Sequence, residues 1–193
     1  MGRRHRVWYP GATYHITARG NRRAVIFDEA EDYNKYLMIL EDVRSTQPFV
    51  LHSYCLMTNH LHLQMETLKD PIQSIMKDIQ SRYAIYFNQK FDLDGHLFQG
   101  RYGAQIIENT DYFLTVSRYI HRNPLEPGLV EDMADYPWSS FSSYIHGQNN
   151  PHIDPSKTYS YFLEPVHEQY RNFVETPTEK LIGEKGEILW VPH

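Results

Sequence analysis

Two β-rich runs, Phe49 to Met57 and His60 to Glu66, are separated only by Thr58-Asn59. So short a link cannot carry a crossover, and the runs must pair as an antiparallel hairpin. Amphipathic stretches flank the hairpin. Upstream, Tyr33, Tyr36, Leu37, Ile39, Leu40 and Val43 recur at spacings of three and four. With Asp28 as N-cap and Pro48 beyond the end, they predict a helix over 29–46. Downstream, Asp70-Pro71 reads as an N-cap followed by proline at the first helical position. Ile72, Ile75, Met76, Ile79, Tyr83, Tyr86 and Phe87 then form one apolar stripe running to about Lys90. Ahead of both, Tyr14 to Arg19 alternates as a strand with Tyr14, Ile16 and Ala18 on one side, broken by Gly20-Asn21. Leu97-Phe98 with Tyr102 to Glu108 predicts a further strand bent at Gly100 or Gly103. Thr110 is placed to cap a third helix, with Phe113, Val116, Ser117 and Ile120 inward and its end at Asn123 before Pro124. The order βαββαβα predicts an α+β fold, a ferredoxin-like antiparallel sheet with helices on one face.

The polar, turn-rich segment Gln148 to Pro155 places the end of this domain near residue 146. Residues 1–146 are therefore read as one domain, and residues 147–193 as a short C-terminal extension, partly helical or mobile. The single Cys55 cannot form an internal disulfide and reads as a small buried apolar residue. No apolar run approaches the ~20 residues of a spanning helix, and the arginine-rich start leads into no signal-peptide stretch. A soluble cytoplasmic protein is expected.

Charge is segregated along the chain. Arg3, Arg4, Arg6, Arg19, Arg22 and Arg23 give residues 1–23 a charge of +6, whereas the whole chain carries −5 and the remainder therefore −11. A basic arm on an acidic body suits local phosphate contact, although a solubilising tail would have the same composition. Trp8, Tyr9 and Tyr14 interleave with the arm. They offer stacking surfaces for unpaired bases, with core packing the alternative for Tyr14.

His60-Leu61-His62 sends both imidazoles to one face of a strand and Leu61 to the other. Such a pair can share a divalent cation and leave coordination positions open. The pattern alone decides little in a chain with eleven histidines. On the third helix, Tyr119 and Asn123 stand four apart on one face. A phenol oxygen can attack a phosphodiester beside a cation, and the amide oxygen can be a further ligand. With fifteen tyrosines in the chain, packing is the competing role for any one of them. His15, His52, His96 and His121 are read as structural or exposed, outside any metal site.

Five segments in order, YHITARGNRR at 14–23, YCLMTNHLHLQMET at 54–67, GHLFQGRYGAQIIE at 95–108, RYIHRNPLEPGLV at 118–130 and DYPWSSFSSY at 135–144, resemble the REP-associated tyrosine transposases. These belong to the single-tyrosine HUH transposase superfamily, whose members process hairpin-bearing single-stranded DNA, and the resemblance spans roughly residues 5–146. It implies that Tyr119 is the nucleophile, that His60, His62 and Asn123 hold Mg²⁺ or Mn²⁺, and that DNA is cut and rejoined through a 5′-phosphotyrosine. Thr58 departs from the proline more common before Asn-His in that family, a change that bears on turn rigidity more than on chemistry. DNA contacts are expected from Arg3, Arg4, Arg6, Arg19, Arg22 and Arg23, joined by Arg101, Arg118 and Arg122, the last two facing roughly away from the apolar stripe. The partner implied is single-stranded hairpin DNA, of REP type among the candidates, bound by a monomer or homodimer. Two rival readings use the same residues: a hydrolase in which the histidine pair activates water, and a hairpin-binding regulator without catalysis.

Overall fold

The computed structural model describes residues 7–176 and the strand segments 180–182 and 188–190. Arg3, Arg4 and Arg6 lie outside the described residues. The core elements are β1 (Thr13–Arg19), α1 (Ala30–Thr46), β2 (Phe49–Met57), β3 (His60–Thr67), α2 (Ile72–Phe91), β4 (Gly103–Ile106) and α3 (Thr110–Arg122). After these come the shorter helices α4 (Phe141–His146), α5 (Ser156–Tyr159) and α6 (Val166–Glu175), then a small hairpin of β5 (Lys180–Ile182) and β6 (Ile188–Trp190).

The four-stranded sheet has the order β2-β3-β1-β4 with antiparallel neighbours throughout. This is the split βαβ arrangement expected of the βαββαβ order. Alternation assigns the faces. Tyr14, Ile16 and Ala18 of β1 and Leu61, Leu63 and Met65 of β3 are buried in one cluster with the apolar stripes of α1 and α2. The third helix follows the βαββαβ unit and packs on the opposite face, where Phe113, Val116 and Ile120 meet Cys55 and Met57 of β2. A bulge between Leu51 and Ser53 turns His52 and Ser53 toward that same face. There His52 meets the Phe113 ring, and Ser53 donates to Gln64, which in turn donates to the Phe113 carbonyl.

Three helix starts differ from their sequence reading. Glu29, not Asp28, is the N-cap of α1, because the buried Asp32 carboxylate accepts from the amides of both Asp28 and Glu29 and closes a capping box. The same carboxylate accepts from Tyr86 and from Lys90 at 2.8 Å, tying the start of α1 to the end of α2. Pro71, still extended at ψ 145°, is itself the cap of α2, so that helix begins at Ile72. Asn109 rather than Thr110 caps α3, accepting from the Tyr112 amide at 2.8 Å, as expected where asparagine competes with an adjacent threonine. The fourth strand is also shorter than predicted. Gly100 turns the chain at φ +70°, so the Leu97-Phe98 pair contributes only a bridge from Phe98 to Gly20.

Beyond α3, residues 138–140 run along the outer edge of β2, with Leu56 donating to the Trp138 carbonyl and Ser140 to the Tyr54 carbonyl, which covers an otherwise open strand edge. Helices α4 and α6 share a third cluster built on Phe141, Tyr144, Tyr170 and Val174. Lys157 of α5 reaches back to β3, where the Glu66 carboxylate takes its ammonium at 2.6 Å and the His52 Nε2 at 3.1 Å. The bond from His52, followed by Lys157 against an opposing effect of burial, holds the Glu66 carboxyl down at about 2. A carboxyl so depressed stabilises the fold above its ordinary range, and that contribution is lost as pH falls from about 4.5 towards 2. Glu66→Gln should therefore cost about 1–2 kcal/mol at pH 7, allowing for solvent screening of Lys157, and nearly nothing near pH 2. Denaturant titrations of both proteins across that range would show the gap closing.

Candidate active site

Strand register builds the site. Across β1 and β3, Arg19 stands opposite His60, Thr17 opposite His62 and His15 opposite Gln64. All six alternate with the core residues and so share the face that α3 covers. The ring centroids of His60 and His62 are 5.2 Å apart and perpendicular. Tyr119, projecting from α3, sets its ring edge-on to His62 at 5.2 Å. Asn123, the C-cap of α3, donates from its amide nitrogen to the Tyr119 carbonyl at 2.8 Å. Its side chain also lies in hydrogen-bonding contact with the His60 imidazole and the Tyr119 phenol. The structure thus brings together His60, His62, Tyr119 and Asn123 from two distant segments.

Both histidines are held neutral. Burial, then Arg19, lowers the His60 pKa against an opposing bond with Asn123. Burial, then His15, His60 and Arg19, takes that of His62 well below its ordinary value. The Nδ1 of His60 lies 2.7 Å from the Asn59 side-chain oxygen, an acceptor only, so Nδ1 carries the proton and Nε2 keeps a lone pair. Among the described residues no group of three or more His, Cys, Asp or Glu side chains is placed to hold a metal ion. The donor set at hand is two neutral imidazoles and an amide oxygen. Such a set fits a divalent cation that keeps positions open for water and phosphate oxygens.

The nucleophile candidate does not ionise readily. Burial, and secondarily the charge of Glu126, raises the Tyr119 pKa, opposed by the Asn123 bond and by Arg19. Arg19 therefore favours both neutral histidines and the tyrosinate. A cleft of about 370 Å³ opens beside these groups, lined by Thr17, Arg19, His60, His62, Tyr119, Gln99 and Arg101. The Gln99 backbone N–H donates to the Arg19 carbonyl, and this contact draws the 99–101 turn against β1. Gly103 also lines the cleft and lets Thr17 stand close across the β1–β4 pair, since a Cβ there would meet the Thr17 Oγ1 at 2.5 Å.

The predicted arginines divide. Arg19 and Arg101 are exposed at the cleft, and Arg22 and Arg23 are exposed in the short helical turn Asn21–Arg23. Arg118 and Arg122 do not face open solvent as their place on α3 suggested, because α6 lies over that side of the helix. Arg118 is buried with its guanidinium 5.1 Å from the Phe173 ring centroid, and Arg122 donates to the Val174 carbonyl at 2.7 Å. Of the aromatics near the arm, Tyr14 is buried and donates to the Val7 carbonyl, while Trp8 and Tyr9 are exposed.

Sequence reasoning set His15 aside, yet its Nε2 is 3.0 Å from the His62 Nδ1, and its ring stacks on His62 and meets Tyr119 edge-on at 5.6 Å. Burial holds its pKa down at about 4. The signal available was parity, since His15 shares its side of β1 with Arg19. Thr17, Gln99 and Gly103 were missed as well. His52, His96 and His121 lie apart from the cleft: His52 is paired with Glu66, His96 is exposed, and His121 is buried between α3, α4 and α6.

Residues 9–123 match the family described as "Transposase IS200 like". A protein of Escherichia coli (strain K12) named REP-associated tyrosine transposase is 23% identical over 144 residues, covering 73% of this chain and 83% of that protein. Among solved structures, "Structure of the REP associates tyrosine transposase bound to a REP hairpin" superposes with a TM-score of 0.65 at 22% identity, covering 81% of this chain and 94% of the other.

Proposed function

This chain belongs to the IS200-like transposase family, and from that premise we propose that it cuts and rejoins hairpin-bearing single-stranded DNA through a phosphotyrosine on Tyr119. The observation that carries the reading is the convergence of the Tyr119 phenol with His60, His62 and Asn123 beside an arginine-flanked cleft. The similar proteins are named for REP elements, and one was solved with a REP hairpin, so REP-type hairpins are the substrate class proposed. In this reading residues 1–146 carry the chemistry in the cytoplasm, while α6 in the 147–193 extension braces α3. Among the described residues no helix is long and apolar enough to cross a membrane.

Arg19 and Arg101 hold the DNA backbone across the cleft, so that a phosphodiester lies in front of the Tyr119 oxygen. That oxygen attacks phosphorus, the P–O3′ bond breaks, and the phenol proton is transferred so that a free 3′-hydroxyl results. Asn123 hydrogen-bonds the phenol as it loses its proton, and Arg19 stabilises the developing negative charge. His60, His62 and Asn123 would hold Mg²⁺ or Mn²⁺, which supplies charge neutralisation at the phosphate. Because the new ester replaces the old one at similar energy, a 3′-hydroxyl can reverse the step and join strands without a nucleotide cofactor.

The test is to incubate the protein with labelled hairpin DNA and Mn²⁺ or Mg²⁺ and look for DNA-linked protein on a denaturing gel. A chelator-sensitive band is expected. Cut DNA without the band would favour a hydrolase, and binding without cutting a regulator. For the clamp, Arg101→Ala should weaken hairpin affinity several-fold and reduce the slope of log affinity against log salt by about 1, measured by fluorescence anisotropy.

A further inference from the structure

His62 is buried, and among the described residues its Nδ1 is hydrogen-bonded to the Nε2 of His15 at 3.0 Å. Between two imidazole nitrogens at that distance one must carry the shared proton. A metal-ligating imidazole needs its lone pair on the nitrogen that faces the cation. If His62 is to present Nε2 to the cleft, the proton sits on its Nδ1 and His15 is the acceptor. The neighbouring ligand is fixed the same way, by Asn59 accepting from the Nδ1 of His60. The two orienting groups differ in kind: one is a carboxamide adjacent in sequence, the other an imidazole reached only across the sheet.

We propose that His15 is a positioning residue of the metal centre: it accepts from the Nδ1–H of His62, sets the tautomer that turns Nε2 toward the cation, and steadies Tyr119 with the edge of its ring. The stacked geometry, 5.3 Å between centroids with planes 24° apart, fixes the swing of the His62 ring as well as its tautomer. The contact of the same His15 ring with Tyr119 at 5.6 Å links the orientation of ligand and nucleophile. The inference rests on the reading of His60 and His62 as metal ligands, and its test separates the two.

Mn²⁺ is titrated into the full-length protein without DNA, and free Mn²⁺ is read by electron paramagnetic resonance for wild type, His15→Leu and His15→Gln. Leucine fills the space without an acceptor, whereas the glutamine oxygen can replace the His15 Nε2. His15→Leu is expected to raise the Mn²⁺ Kd about 10- to 100-fold and His15→Gln to stay within about threefold of wild type. Adduct formation by His15→Leu should require correspondingly more Mn²⁺ than wild type. Wild-type affinity in His15→Leu, or equal weakening in both variants, overturns the assignment while leaving the metal reading in place. A wild type that binds no Mn²⁺ overturns the metal reading and the inference with it. Should His15→Leu fail to fold, the histidine ¹⁵N spectrum of the wild type decides: the Nδ1–H tautomer at His62 supports the assignment and the Nε2–H tautomer ends it.

Discussion

Tyr119→Phe is expected to reduce covalent DNA–protein adduct at least about 10³-fold, to the limit of detection, while hairpin affinity stays within about threefold. The substitution removes one oxygen and little else. The ring remains wedged edge-on against His62 and His15, and Asn123 still donates to the residue 119 carbonyl, so α3 keeps its place over the sheet. DNA affinity comes chiefly from charge on phosphates, which the substitution does not touch. A denaturing gel and an anisotropy titration on the same preparations check both halves. Adduct persisting in Tyr119→Phe would move the nucleophile to another residue. Lost affinity would mean that the phenol is needed for docking as well as chemistry.

The second large effect concerns stability. His121 is fully buried two residues beyond Tyr119, with Nδ1 2.7 Å from the Tyr170 hydroxyl and Nε2 2.7 Å from that of Ser140. The Tyr170 hydroxyl also meets Ser117 at 2.6 Å, so α3, α6 and the edge of β2 converge on a single imidazole. Burial lowers the His121 pKa to about 3 from an ordinary 6.5. The sign follows from proton uptake: below pH 6.5 the unfolded chain binds a proton that the folded one refuses, so stability is full above 6.5 and declines as pH falls towards 3. At pH 4 the loss from this group is on the order of 3 kcal/mol. His121→Phe should cost about 2–4 kcal/mol at pH 7 through its stranded hydroxyl partners, and should lose less stability than wild type on going to pH 4. Urea midpoints at the two pH values measure the difference; equal acid losses would place the proton uptake elsewhere.

Most of the scaffold was legible because its signals are local. Alternation marked β1, two β-rich runs parted by a two-residue link marked β2 and β3, and the stripes on α1, α2 and α3 are buried as their helical spacing requires, with Tyr86 of α2 only half-buried. The helix starts were read one residue off, since a cap is decided by which side chain reaches the free amides. Asp32 does so from inside α1, and no pattern distinguishes that arrangement from a cap at Asp28. The proposed nucleophile Tyr119 and the His60–His62 pair were singled out by motif context, and the fold brings them together. His15 was not, because its partner lies 47 residues away and depends on the pairing of β1 with β3. Arg118 looked solvent-facing for a similar reason: what covers it is α6, some fifty residues later, and helical spacing says nothing about a distant covering helix.

The matched strands β1 and β3 behave as a reading frame. Across seven consecutive positions, core residues face core residues and residues of the cleft-side face meet one another. Inserting or deleting one residue at the centre of either strand inverts the parity of everything beyond it, carrying histidines into the greasy layer and leucines into the cleft. Function and foldability therefore fail together under such a change, and single-residue insertions or deletions are expected to be tolerated only in the connecting turns.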